Sequence, residues 1–218
     1  MPLAPVGWQW PLEDDEPLVF VAQINCSELH GLPGAEVLPS SGLLSFFAEY
    51  DGVMACRFEA RTIAIHHSPD VRALVPAAPP IPPMLVPPIC PVVTRPLIDL
   101  PHPFSGAIKK LKLADEQRAR YHGVWSVARN HGIPAGLEGY CSFSKLLGWP
   151  ALVQGRDVDQ IEFNQPKKKI RLLLQVDDYR NGDKSHGWGP GGSLYFALPE
   201  RGLLARNYAT CEFDIQFT

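Results

Sequence analysis

The chain has 218 residues, 45% apolar and 20% charged, with a formal charge of −3. That length carries one large domain or two small ones, and the mild acidity excludes a dedicated nucleic-acid binder, whose footprint is a basic excess. No apolar run approaches the roughly 20 residues needed to span a bilayer, Met1 to Pro5 lacks the pattern of a secretory signal, and the five cysteines show no C-x-x-C or ligand-like spacing, so a reduced, cytoplasmic protein is expected.

Residues 7–17 read as an irregular, aromatic entry. Leu18 to Asn25 is the first predicted strand, an almost continuous apolar run that implies burial on both faces. Cys26 to Leu29 forms one helical turn before Gly31, Pro33 and Gly34 break it. Gly42 to Tyr50 is the next strand, and Asp51-Gly52 signals a turn into a third over 53–66. Eleven prolines then fall between Pro76 and Pro103. Proline fixes φ and removes a donor, so this stretch is neither helix nor central strand but an extended strap. Its interspersed aliphatic residues predict packing along the sheet rather than a disordered linker.

Ala107 to Asn130 is the main helix candidate. Leu111, Ala114, Arg118, Tyr121 and Trp125 approximate a 3.6-residue period. Gly123 predicts a bend or break, and Gly132 and Pro134 end the helix. Strands follow at about 158–163, 170–177, 192–198 and 210–217. Strands outnumber helices without βαβ alternation, so the predicted class is α+β on mainly antiparallel sheet.

The strands repeat a pattern. Phe20-Val21-Ala22-Gln23-Ile24-Asn25 parallels Leu172-Leu173-Leu174-Gln175-Val176-Asp177, Gly42-Leu43-Leu44-Ser45-Phe46 parallels Gly192-Ser193-Leu194-Tyr195-Phe196, and Cys56-Arg57-Phe58-Glu59 parallels Cys211-Glu212-Phe213-Asp214. Three matches in one order predict an internal duplication. One domain then comprises repeat one (7–68), the Pro-rich strap (69–104), a helical connection (105–132) and repeat two (142–218).

Five blocks carry a resemblance: Pro17 to Asn25 (P-L-x-F-x-A-Q-I-N), Leu38 to Phe47 (L-P-x-x-G-x-L-x-F-F), Leu146 to Gln154 (L-L-G-x-P-x-x-x-Q), Leu172 to Asp177 (L-L-L-Q-V-D) and Trp188 to Phe196 (W-G-x-x-G-x-L-Y-F). In this order they resemble the YwqG-like family of bacterial proteins over nearly the whole chain. The resemblance implies a duplicated β-rich fold in a bacterial cytoplasmic protein of no established activity. Some members lie near polymorphic toxin genes, which implies an immunity-type or partner-binding role. The family's Ser-Lys-x-Gly-Gly-x-Pro block has no counterpart here, so its N-terminal edge is expected to be missing or trimmed.

Gly187 to Gly192 spells G-x-G-x-x-G, but the dinucleotide fingerprint needs a strand before it and a helix after it, and here a strand follows. Asp177, Asp178 and Asp183 with Asn181 offer oxygens for a hard cation, yet Tyr179 stands at the third position of an EF-hand count, and a solvated acidic loop is the better reading. The seven histidines contain no H-x-x-x-H or H-E-x-x-H, so no zinc site is expected. No G-x-S-x-G elbow occurs either. No cofactor, metal, nucleic acid or membrane partner is therefore expected.

The candidate ligand-binding residues are Gln23, Gln175, Asp177, Asp178, Tyr179, His186 and Trp188. The two glutamines sit mid-strand in apolar runs, where a buried amide needs partners. Either each bonds an irregular turn in its own repeat, or both face a shared cleft. The other five bracket the 177–191 loop, where carboxylates and an imidazole beside an indole suit one polar ligand against an apolar wall. The alternative makes Trp188 repeat core. The favoured function is a non-catalytic module binding a protein partner. Its rival is an enzyme with Asp177, Asp178 or His186 as acid–base.

Overall fold

In the computed structural model of the chain, the described residues are 1–49, 62–81, 89–131, 144–154, 169–181, 184–188 and 191–217. The expected strand at 158–163, the Asp51-Gly52 turn, the start of the third strand and the Cys56 to Glu59 match lie outside them. The fold is mixed α+β with mainly antiparallel sheet, and the chain divides into two compact units. One comprises Met1–Thr94 and Leu198–Phe213, the other Arg95–Ala197 and Asp214–Thr218.

In the first unit, β1 (Leu3–Pro5) leads to a small ribbon of β2 (Leu12–Glu13) and β3 (Glu16–Pro17). The main sheet has the order β4 (Val19–Asn25), β5 (Leu43–Ala48), β6 (Ile63–Ser68), all antiparallel. Its middle strand, β5, is buried at every residue, whereas β4 is buried only at Val19 and Ile24. The two-face burial expected of β4 belongs to β5, the strand paired along both edges, whereas β4 has one edge outside the sheet. Gly42 opens β5 at φ +90, and a Cβ there would overlap Ser68 O. Trp8, Trp10 and Phe20 surround Phe47 at ring separations of 5.3–5.6 Å, and His66 lies 5.7 Å from the Trp8 ring. After β6 a 3-10 turn leads to β7 (Leu74–Pro76), which pairs antiparallel with β1. The start of the Pro-rich strap is thus the second strand of a two-stranded ribbon, where a missing donor is tolerated.

Packing of the strap does not follow the expectation. Ile89, Val92 and Val93 are 63%, 64% and 81% exposed, and 89–104 has no regular secondary structure. Prolines remove the donors that would add this stretch to a sheet, so its aliphatic side chains have no ladder to align them.

In the second unit, the single helix expected over 107–130 is two: α1 (Gly106–Lys109) and α2 (Asp115–His131). The break comes at Lys110 to Ala114, where Lys112 is left-handed at φ +50. Gly123 does not break α2. The restart is capped by the Gln117 side chain, which accepts from Ala114 N at 2.9 Å, with Asp115 and Glu116 favourably placed against the helix dipole. Most of α2 is exposed. Its anchors are Tyr121, whose hydroxyl donates to Pro101 O at 2.7 Å, and Trp125, edge-on to His102 at 5.0 Å.

A four-stranded sheet follows with the order β13 (Glu212–Gln216), β12 (Ser193–Pro199), β9 (Ile170–Asp177), β8 (Lys145–Leu146). β12 is buried throughout, as is β9 from Leu172 to Gln175. Leu172, Tyr195 and Ala197 form a core against which Leu152 and Ile170 pack. Between β9 and β12, residues expected to form an irregular loop instead make a hairpin, β10 (Tyr179–Asn181) with β11 (Lys184–His186). In the first unit a short helix α3 (Glu200–Leu204) precedes Arg206, whose guanidinium donates to Leu38 O at 2.8 Å.

Candidate functional site

The two mid-strand glutamines make the same bonds, each within its own unit. Gln23 Oε1 accepts from Leu3 N at 3.0 Å while its Nε2 donates to Leu3 O at 2.8 Å and to Ser45 Oγ at 2.8 Å. Gln175, fully buried, accepts from Ala151 N at 2.9 Å and donates to Ala151 O at 3.4 Å. Three residues on, Cys26 N donates to Gly42 O at 2.9 Å and Asp178 N to Gly192 O at 3.1 Å. An amide presents one donor and one acceptor side by side, which matches the N–H and C=O of a single residue in extended backbone. Both amides are therefore spent on local chain.

In the second unit this clasp belongs to a larger set. The buried Tyr195 hydroxyl donates to Ala151 O at 3.0 Å and accepts from Val153 N at 3.2 Å. Gln216 Oε1 accepts from Gln154 N at 2.9 Å. Residues 151–154 are thus fixed to the sheet by side chains of β9, β12 and β13 rather than by a backbone ladder. Burial pushes the Tyr195 phenol up to about 12, as removing the phenolate from water must.

The remaining candidates gather at the end of β9. Gln175 Nε2 also donates to Asp177 Oδ1 at 2.8 Å, and Asp177 N donates to Ser144 Oγ at 3.1 Å. Asp178 Oδ1 accepts from Trp188 N at 2.8 Å, closing the base of the hairpin. Gly187 packs so near this carboxylate that a Cβ there would lie 3.2 Å from Oδ2. Tyr179 and His186 stand opposite each other across the hairpin. Trp188 is 2% exposed, so its indole is interior rather than the wall of an open pocket. The fold thus brings Gln175, Asp177, Asp178, Tyr179, His186 and Trp188 together in one unit, and Gln23 belongs to the other.

Sequence reasoning missed a second polar centre in this unit. Asp99 Oδ2 accepts from Trp149 N at 2.6 Å and from Lys145 Nζ at 3.1 Å. Leu147 and Gly148 are both left-handed, at φ +59 and +76, and a Cβ on Gly148 would fall on Asp99 Oδ2. The available signal was a lone carboxylate among prolines and the L-L-G-W-P block, but nothing in the sequence joins them.

Elsewhere, His66 has its pKa lowered, by burial first and then by His67, and His67 Nε2 lies 3.0 Å from Ser41 O. Burial raises the pKa of the Cys26 thiol, the opposite of what an activated nucleophile requires. Among the described residues no group of three or more His, Cys, Asp or Glu is placed to hold a metal ion, and no helix is long and apolar enough to cross a membrane.

A search of curated proteins finds no match. A family model, the domain of unknown function DUF1963, matches residues 1–216. The chain belongs to that family.

Proposed function

We propose that this member of the DUF1963 family is a non-catalytic binding module that docks a protein partner on the β10–β11 hairpin. The observation that carries the reading is how the polar groups at the hairpin's base are used. Asp177 and Asp178 accept from Gln175 Nε2 and Trp188 N, so both carboxylates act as fixed acceptors that set the hairpin's direction. A group relaying protons must exchange partners during the reaction, whereas a fastener keeps one. A hairpin held on a rigid base arrives at its partner already ordered and loses less entropy on binding. This favours binding over the rival acid–base enzyme.

The five sequence blocks support placing the chain among YwqG-like bacterial proteins, and with that a cytoplasmic setting and an immunity-type partner. The matched glutamine clasps and the matched N–H to glycine carbonyl bonds support descent of the two sheets from one duplicated repeat, with the helical stretch and Pro-rich strap inserted between them.

The test is site-specific crosslinking. A photo-reactive residue at Arg180 is expected to trap one discrete protein from a bacterial lysate, and the same residue at Glu116 on exposed α2 is not. Equal labelling from both positions would count against the hairpin. A small metabolite that stabilises wild type but not Asp177→Ala in a thermal-shift screen would replace this reading with the enzyme.

A further inference from the structure

The turn at Leu147–Trp149 is built around a carboxylate. Two consecutive left-handed residues, Leu147 and Gly148, turn the backbone so that Trp149 N faces the Asp99 carboxylate. Gly148 is open on the side where any Cβ would meet Asp99 Oδ2. Trp149 N supplies a directed donor and Lys145 Nζ a cation, both to that one oxygen. The pair is largely shielded, with the Lys145 and Asp99 side chains 14% and 22% exposed, so water competes weakly for these bonds. Two left-handed residues, one of them a leucine, cost backbone energy that an occupied anion site offsets.

What fills the site is not locked in by its surroundings. Leu97 and Ile98, which immediately precede Asp99, are 40% and 74% exposed. The prolines at 91, 96, 101 and 103 remove donors that would otherwise tie this stretch to a sheet. On its N-terminal side the attachment therefore comes through one carboxylate rather than through apolar burial, and on its C-terminal side α2 holds Pro101 and His102 through Tyr121 and Trp125.

We propose that Lys145 and the Leu147–Trp149 turn form a carboxylate-binding site in which Asp99 serves as an internal, exchangeable ligand. A carboxylate from outside the chain, either a small organic acid or an acidic side chain of another protein, binds the same atoms when Asp99 leaves. This inference does not depend on the hairpin reading, because the site shares none of the residues proposed to meet that partner.

The experiment empties the site and refills it. Asp99→Ala is titrated with sodium formate, and separately with a short amidated peptide carrying one Asp, against sodium chloride of equal ionic strength. A saturable rise in melting temperature is expected with carboxylate and not with chloride. Tighter binding of the peptide identifies a protein side chain as the natural source, and a response to formate alone identifies a small acid. Adding Lys145→Ala should weaken the apparent affinity roughly tenfold or more, the loss expected for one charge-assisted hydrogen bond. In wild type, acetate at high concentration should speed amide exchange at Ile98 to Leu100 relative to chloride, an arm that needs no variant to fold. A formate response no different from chloride, or saturation untouched by Lys145→Ala, overturns the proposal. So does wild-type exchange that ignores acetate, which makes Asp99 a permanent structural ion pair.

Discussion

Gln175 holds Ala151 by both of its backbone polar groups, and it does so from a fully buried position on β9. Replacing it with leucine leaves the part-buried Ala151 N–H without its acceptor while Ala151 O keeps the Tyr195 hydroxyl, so Gln175→Leu should cost roughly 1–3 kcal/mol. Gln23 makes the matching clasp on Leu3, which is 38% exposed. Water can substitute there, and Gln23→Leu should cost about 1 kcal/mol. Urea unfolding of the two variants measures the difference. Equal losses would show that the two clasps are energetically alike and that burial does not set their worth.

Two glycines give a contrasting pair. Gly42→Ala puts a methyl group against Ser68 O, 2.7 Å from His67 Nε2, at a left-handed φ. Strain and clash together should cost roughly 2–4 kcal/mol. Gly123 lies inside α2 with nothing within 4 Å of its missing Cβ. Gly123→Ala should raise stability by about 0.5–1 kcal/mol through backbone entropy alone. Thermal melts decide both signs.

The Tyr195 phenol sits at about 12, raised chiefly by burial. The folded value lies above the unfolded one of about 10. Its contribution is therefore fully present below about pH 10 and lost as pH climbs through about 12. The shift corresponds to about 2–3 kcal/mol. Tyr208, also raised to about 12 by burial, acts in the same window. The urea midpoint should fall steeply between about pH 10 and 12, and Tyr195→Phe should lessen the fall. That variant also carries a pH-independent loss of about 1–2 kcal/mol from its bonds to Ala151 and Val153. An unchanged slope in Tyr195→Phe would remove Tyr195 from the account.

At the hairpin base, Trp188→Ala should cost about 3–5 kcal/mol through the cavity it leaves. Asp178→Ala should cost about 1–3 kcal/mol by freeing Trp188 N. Asp178→Asn keeps an acceptor oxygen and should cost less than Asp178→Ala. If the asparagine variant is as unstable as the alanine one, the charge rather than the hydrogen bond holds the turn.

Much of the sheet was legible because long apolar runs have few alternatives. β4, β9 and β12 lie within a residue of their expected ends. The helix break at Lys112 was not, since lysine carries no signal for a left-handed residue and Leu111 fits the helical period while remaining 61% exposed. The hairpin escaped notice because β10 and β11 are three residues each and polar, without apolar alternation to reveal a strand. The Asp99 centre joins residues 46 and 50 positions apart. Such a contact has no local trace. The glutamines were visible as an anomaly, polar residues in apolar strands, and their partners were not.

The fastening of residues 151–154 by side chains has a consequence for synthesis. Gln154 emerges from the ribosome 62 residues ahead of Gln216, 42 residues separate Val153 from Tyr195, and 24 separate Ala151 from Gln175. During translation this stretch therefore waits with unmet backbone groups, and its latches close in the order Gln175, Tyr195, Gln216. A ribosome stalled between the second and third would display a nascent chain whose sheet has formed but whose Gln154 amide still exchanges freely.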